Sequence, residues 1–530
     1  MSSLAPTETL SSRLTHKWSG RRRWPLVSVL GGVAAGALVL LPLVFLVDQA
    51  QQSGWEQLRH LLLRHSVAVL LWNTVRLTIA CTLLCGLLGV GAAWLVERTD
   101  LPLRRMWAVI LVLPLGIPDF VVGFGWVSIE PSLHGYLAAV MIMTLSLYPL
   151  VYLPVAAAMA NLDGALEESA RSLGLGPWKT FGKVTLRQIA PALLGGCLLV
   201  TLGLLAEFGA FEILQYRTFT VEIFVEFKLG FDTVAACALS LVLVGLSLIA
   251  LAAELSLSGR GRAWRAGPGV RRRATRVKLG KSKAPALIAL FALGGLALGV
   301  PIGSLVYWML RGNSSTLPST SILSALGHTV ELSAAAAAIA TALAVPLSTL
   351  ALRHRNRLTI ALERLAYLPM ALPGLVIALG LVSFTVRYAL SLYQSSLELI
   401  LAYAILFLPL ALVGVRSAMA QASPRLEEMG RSLGSRPMQV FGRVTLPLIA
   451  PGLGAAFALV FISSSTELTA TLLLRPTGVN TLATQFWAYT TDFSYGAAAP
   501  YAGLMVAISA VPAYVLSRRM SNTARAADRR

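Results

Sequence analysis

Residues 166–191 read LEESARSLGLGPWKTFGKVTLRQIAP, and residues 426–451 read LEEMGRSLGSRPMQVFGRVTLPLIAP. The two stretches lie 260 positions apart, align without a gap and share 16 of 26 residues. Each is polar and basic, and each sits between long apolar runs. Leu166, Ala170 and Leu173 fall at i, i+4 and i+7, on one face of a helix. Glu167 and Glu168 lie in its early turns, where the helix dipole favours an anion. Gly174 marks a stop. Gly176-Pro177 makes a turn that places a proline at the first position of a second short helix. Phe181 and Val184 continue the apolar face, and Pro191 restarts the chain into the next apolar run. The second copy repeats the pattern with Leu426, Glu427, Glu428, Gly430, Leu433, Gly434, Pro437, Phe441, Val444 and Pro451. The expectation is a helix–turn–helix, used twice, with an apolar docking face and a charged rim.

The rest of the chain is apolar. Of 530 residues, 56% are hydrophobic and 13% charged, against about 25% charged in a soluble domain. That composition implies an integral membrane protein. Cys81, Cys85, Cys197 and Cys237 all fall in apolar runs without metal-ligand spacing, and the six histidines form no cluster, so neither a metal nor a cofactor is expected. Arg21–Arg23 before an apolar run imitates a signal peptide. That run, Pro25–Val47, exceeds the ~7–15 residues of a signal core, so it reads as a retained helix.

A spanning helix needs ~20 apolar residues. Twelve candidates occur, near 25–47, 67–96, 106–128, 135–157, 191–213 and 233–256, and again near 284–309, 326–352, 359–383, 396–418, 451–473 and 496–517. Six plus six gives two similar halves, 25–256 and 284–517. The repeated segments lie in the loops 158–190 and 419–450, and a basic linker, 257–283, joins the halves. Tails 1–24 and 518–530 complete the chain. With the N-terminus inside, arginines and lysines collect in the inner loops, in both repeats and in the tails. This obeys the positive-inside rule and places both termini in the cytoplasm. The net charge of +20 therefore reports topology, and no nucleic-acid partner is expected.

Similarity extends beyond the two segments: 72–99 parallels 327–354, and LPLGIPDFVVGFGWV (113–127) parallels LPMALPGLVIALGLV (368–382). The prolines and glycines inside the latter pair imply broken helices, which lipid tolerates only against protein or a wet cavity. An even number of spans per half makes the halves parallel repeats about an axis along the membrane normal. The fold class is all-α polytopic, two six-helix bundles flanking a pathway. Glu207 and Glu467 are also 260 apart, each 16 residues after its proline, and so ~24 Å along a helix at 1.5 Å per residue. Ionisable groups at that depth are candidates for a pathway or gate. Asn73 and Asp119 are weaker candidates of the same kind.

The repeated segments resemble the EAA loop of ABC importer permeases. Glu168-Ser169-Ala170, Gly174, Val184 and Leu186 carry the match in one copy, and Glu428-Met429-Gly430, Gly434, Val444, Leu446 and Pro447 in the other. Met429-Gly430 and Arg187 depart from the pattern and leave its spacing intact. The resemblance implies an importer permease with its halves fused, and an ATPase-coupling role for Glu167, Glu168, Ala170, Gly174, Pro177, Glu427, Glu428, Gly430, Gly434 and Pro437. It also implies two copies of an ATP-binding subunit, a periplasmic or lipid-anchored substrate-binding protein, and a bacterial inner membrane. No G-x-x-x-x-G-K-[ST] loop occurs, so the chain is expected to transport and to leave ATP hydrolysis to separate subunits. Residues 206–224 and 465–487 resemble the ferric iron permeases. Thiamine, polyamine, sulfate or molybdate, and phosphonate are alternative cargoes. A proton-coupled secondary transporter, with Glu207 and Glu467 as relay groups, is the alternative of another class.

Overall fold

The computed structural model describes residues 26–52, 54–162, 164–259, 276–311, 320–353 and 356–510. The expected tails 1–24 and 518–530, and residues 260–275 of the linker, lie outside the described residues. The first half runs α1 (Leu26–Gln51), α2 (His65–Arg98), a bent pair ending in α3 (Asp119–Val127), and α4 (Gly135–Ala160). It continues with α5 (Gly164–Ser172), α6 (Pro177–Ala206), α7 (Gly209–Ile213), α8 (Phe219–Lys228) and α9 (Thr233–Gly259). The second half repeats the series: α10 (Gly280–Arg311), α11 (Thr320–Arg353), a bent pair ending in α12 (Gly374–Tyr388), and α13 (Ser396–Gln421). Then come α14 (Pro424–Ser432), α15 (Met438–Ser465), α16 (Thr469–Leu474), α17 (Leu482–Thr491) and α18 (Tyr495–Ala510). The fold is all-α. Its one β feature among the described residues is a bridge between Thr99 and Val277.

Nine of these helices are long and apolar enough to cross a membrane, or eleven if each bent pair is one span. The expected twelfth, 496–517, is represented by α18, and its last seven residues lie outside the described residues. The bends are sharp: 92° between Arg104–Gly116 and α3, and 109° between Arg357–Ala371 and α12. Proline causes both. Ile117 and Leu372 are forced into extended backbone (φ −106°, ψ 123° and φ −108°, ψ 125°) before Pro118 and Pro373, which then open α3 and α12.

Two cores form, and each mixes the halves. One gathers α2, α3, α4, α6 and α7 with α10, α17 and α18. The other gathers α11, α12, α13, α15 and α16 with α1, α8 and α9. Each half thus lends its outermost helices to the other half's bundle. The exchange rests on close approach. A Cβ on Gly380 of α12 would come within 2.1 Å of the Pro42 carbonyl oxygen of α1. The equivalent Gly125 of α3 would meet Pro301 Cα of α10 at 2.8 Å. Small residues at such crossings let backbones pack where lipid supplies no hydrophobic drive.

Candidate functional site

The repeated segments fold alike. α5 and α14 each end in a full Schellman turn. Gly174 has φ +83°, its N–H bonds Arg171 O at 2.9 Å, and Leu175 N–H reaches back to Ala170 O at 3.1 Å. Gly434 also has φ +83°, with bonds to Arg431 O (2.9 Å) and from Ser435 to Gly430 O (3.2 Å). Only a residue without Cβ takes that backbone at low cost.

One expectation is corrected here. The second short helix is not separate, and Pro191 and Pro451 do not restart the chain. From Pro177 the helix runs unbroken into the span and ends at Ala206. In the second copy it runs through Met438–Ser465. The physical reason is that Pro177 supplies the helix start, where a missing N–H is harmless. Pro191, inside the helix, removes only one ladder bond and is tolerated when neighbouring helices support the run. A five-residue π-helical turn, Phe181–Thr185 or Phe441–Thr445, is the single irregularity near the start of each rod.

Side chains of the segment divide into inward and outward sets. Glu167 is 4% exposed. Its carboxylate forms a short ion pair with Arg98 at the end of α2 and accepts a bond from Thr185 Oγ1 at 2.7 Å. Glu427 repeats this with Arg353 at the end of α11 (3.1 Å) and Thr445 (3.3 Å), is half-buried, and has Arg431 at 3.6 Å besides. Ala170 is buried and Gly430 half-buried. Facing outward are Glu168, Glu428, Pro177, Leu173 (83%), Trp178 (85%), Leu433 (84%) and Met438 (72%). Pro437 opens a short helical turn. Sequence reading counted Arg98 and Arg353 only as inner-loop charges. Their equivalent positions in the paired stretches 72–99 and 327–354 were the available signal for a shared anchor.

The first anchor has an extra support. Val277, at the end of the basic linker, bridges Thr99 and donates to Arg98 O at 2.8 Å, and Asp100 pairs with Lys283 Nζ at 2.8 Å. The Leu279 N–H, at 2.9 Å, and then the Lys283 ammonium hold the Asp100 carboxyl below the usual carboxylate range.

The glutamates sit one or two residues past the ends of α6 and α15, not within a continuous span as expected. Each instead caps the next short helix. Glu207 Oε1 accepts from Ala210 N–H (2.7 Å), and Glu467 Oε1 from Ala470 N–H (3.0 Å). The polypeptide breaks at these points, so the carboxylates stay half-buried between the bundles. Asp119 opens α3, takes a short hydrogen bond from Ser146, and lies close enough to act electrostatically on Glu207, as does Glu467 from the other half. Asn73 is placed apart from these acids, with Nδ2 on Arg217 O (3.3 Å) and its carbonyl on Tyr216 OH (3.0 Å). Among the described residues, no group of three or more His, Cys, Asp or Glu is placed to hold a metal ion.

Comparison with known proteins follows the repeat. A family model described as binding-protein-dependent transport system inner membrane component matches residues 86–257 and, again, 344–522. The Fe(3+)-transport system permease protein FbpB 2 of Haemophilus influenzae is 38% identical over 94% of this chain and 99% of its own length. Shorter relatives match less than half of this chain. The sulfate transport system permease protein CysT of Escherichia coli is 27% identical over 42% of this chain and 88% of its own. The molybdenum transport system permease protein ModB of Mycobacterium bovis is 31% identical over 35% and 72%.

Proposed function

The chain belongs to the family of binding-protein-dependent transport system inner membrane components, and on that premise we propose that it carries ferric iron, with Glu207, Glu467 and Asp119 lining the path. It is the permease of an ABC importer, and it works with a substrate-binding protein and an ATPase. In this reading two ATPase copies bind, one at each repeated segment, and both segments and both termini face the cytoplasm. The binding protein delivers from the opposite side. The limits 25–256 and 284–517, with the linker between, are kept here as sequence halves, and each core draws helices from both.

The observation that carries the reading is the unjointed rod. The exposed Leu173, Gly174 and Trp178 stand at one end of α6, and Glu207 at the other. At 1.5 Å per residue, its 30 residues span about 45 Å. Closure of an ATPase pair on the exposed apolar faces would move α5, which drags α2 through the Glu167–Arg98 pair and α6 through the Schellman turn. The same displacement arrives at Glu207. The second half does the same from Gly434 to Glu467. The bundles then rock and alternate access to a path between carboxylates. Glu168 and Glu428, both exposed, are the acids offered to the ATPase. Glu167 and Glu427 are internal positioning residues.

Three carboxylates, for which no ion pair occurs among the described residues, favour a cationic cargo over the oxyanions named for the half-length relatives. The test is uptake in a strain deleted for this chain and complemented with it, with labelled ferric iron, sulfate and thiamine side by side. Iron uptake alone restored is the expected result. Restoration of sulfate or thiamine instead would reject the iron reading and leave the permease assignment standing.

A further inference from the structure

The two halves differ most around their glutamates. In the first half Glu207 has Asp119 nearby, and Ser146 holds Asp119. The equivalent positions in the second half are Gly374 and Leu406, and a Cβ on Gly374 would stand 3.0 Å from Glu467 Oε1. Glu467 instead adjoins a small pocket walled by Thr329, Ser333, Tyr403, Ser464 and Ser465, among others. The first-half counterparts of the last three are Met143, Leu204 and Leu205, all buried apolar residues. At these three positions the second half has hydroxyls where the first has hydrocarbon, while Thr329 and Ser333 have the hydroxyl counterparts Thr74 and Thr78.

The hydrogen-bond polarity of this chamber decides its ligand. Ser464 Oγ donates to Val460 O (2.7 Å), Ser465 Oγ to Ile462 O (2.8 Å) and Thr329 Oγ1 to Ala325 O (2.7 Å). Thr471 Oγ1 donates to Glu467 O (2.6 Å), so Tyr403 OH is the donor in the 2.5 Å bond between Tyr403 and Thr471. Each of these protons is spent on a protein acceptor, which leaves oxygen lone pairs as the free valence of the wall, except that Thr329 Oγ1 already accepts the Leu482 N–H at 2.9 Å. Ser333, 1% exposed, has no partner for its Oγ at all. A buried hydroxyl without a partner is costly, and at this wall Ser333 is free to complete a bond to a ligand. An oxyanion needs several N–H or O–H donors, and the only unspent one among the hydroxyls named here is that of Ser333. A hard cation needs oxygen donors, which the wall supplies. The walls are drawn together so closely in this conformation that no water-sized sphere fits between them.

Resting on the reading of Glu467 as a path residue, we propose that this pocket is a transit site for a hard, highly charged cation. The cation is held by the Glu467 carboxylate with the Ser333, Ser464 and Ser465 oxygens when the bundles part. The oxygen-lined wall belongs to the second half. The first half contributes only the carboxylates Asp119 and Glu207 on the facing side. Cation selection is thus built from hydroxyl orientation as well as from negative charge.

Terbium(III), a hard trivalent ion that tyrosine sensitises, is the probe, titrated into the purified full chain with its ATPase subunits. Wild type is expected to give saturable luminescence that gallium(III) displaces and that sulfate and molybdate leave unchanged. Ser464→Ala with Ser465→Ala should weaken it about 10- to 100-fold, and Glu467→Gln should abolish it. Ser464→Thr with Ser465→Thr, which restores both oxygens, should restore binding. Leu204→Ser in the first half should change nothing. Unchanged binding in the alanine and glutamine variants overturns the proposal. So does a loss that threonine fails to rescue, since packing would then explain it. Iron uptake with unchanged terbium binding in these variants defeats the pocket and spares the iron reading. Terbium binding through these residues without iron uptake by wild type does the reverse.

Discussion

The two repeated segments have one backbone and two grades of anchoring. Both turn through a glycine at φ +83°, and both bury a glutamate against an arginine and a threonine. The first glutamate sits at 6% side-chain exposure with a partner equally buried, backed by the Val277–Thr99 bridge and the Asp100–Lys283 pair. The second sits at 14%, shared between Arg353 and Arg431. A fused permease can afford this difference, because its two docks have separate sequences. The glycine turn, which the proposed function makes the meeting point with the ATPase, is the same in both. The stiffness behind the turn is not. The first segment is therefore expected to follow its ATPase rigidly and the second to yield.

The sharpest way to break this comparison is to remove the arginines. Arg98→Ala leaves Glu167 buried with only Thr185, at a cost of about 3–5 kcal/mol to the seating of α5. Arg353→Ala leaves Glu427, at 14% exposure, with Arg431 and Thr445 still near, at a smaller cost of about 1–3 kcal/mol. Limited proteolysis around 164–176 and 424–436 should show the first segment released far more than the second, with uptake falling in the same order. Equal release would erase the distinction. Next in size is the outer face. Trp178→Ala should weaken ATPase binding by about 2 kcal/mol, roughly 30-fold, and Met438→Ala by about 1 kcal/mol, because large aromatic anchors dominate such contacts. Affinity measured with the purified ATPase checks this.

Smaller still, and equal in both copies, is the turn. Gly174→Ala and Gly434→Ala each force a Cβ into left-handed backbone for about 1 kcal/mol, and should lower ATP-driven uptake alike. Unequal losses would mean that the turns are not equivalent. The smallest effect belongs to the linker staple. The Asp100 carboxyl is depressed by the Leu279 N–H and by Lys283. The stabilisation is therefore complete above the ordinary carboxylate range and fades as pH falls through the depressed value. Asp100→Asn should remove that acid dependence from protease protection at 276–283 and leave the second segment unaffected.

Much of this was legible in the sequence, because the information was duplicated. The repeat, the glycine turn, the broken helices at Pro118 and Pro373, and the pairing of Glu207 with Glu467 all follow from residue types that restrict backbone or resist lipid. Three features were not legible. Pro191 reads as a boundary because proline usually is one, yet a proline inside a helix supported by neighbours stays in it. The exchange of α1 and α10 between cores depends on Gly125 and Gly380 meeting the distant Pro301 and Pro42, contacts with no local signature. The inward turn of Glu167 rather than Glu168 depends on Arg98, 69 positions away. The hydroxyls at Tyr403, Ser464 and Ser465 stood in plain view, but their meaning needed the directions of their hydrogen bonds.

The central claim is that the two turns transmit ATPase motion to the path, and Gly174→Pro combined with Gly434→Pro tests it directly. Proline fixes φ near −65°, against +83° in both turns, and deletes the N–H that bonds Arg171 or Arg431. In vesicles holding the chain, its ATPase and its binding protein, ATP hydrolysis and iron uptake are measured together. The expected result is a correctly inserted protein whose ATPase still turns over while uptake stops. Undiminished uptake in the double variant would contradict the account.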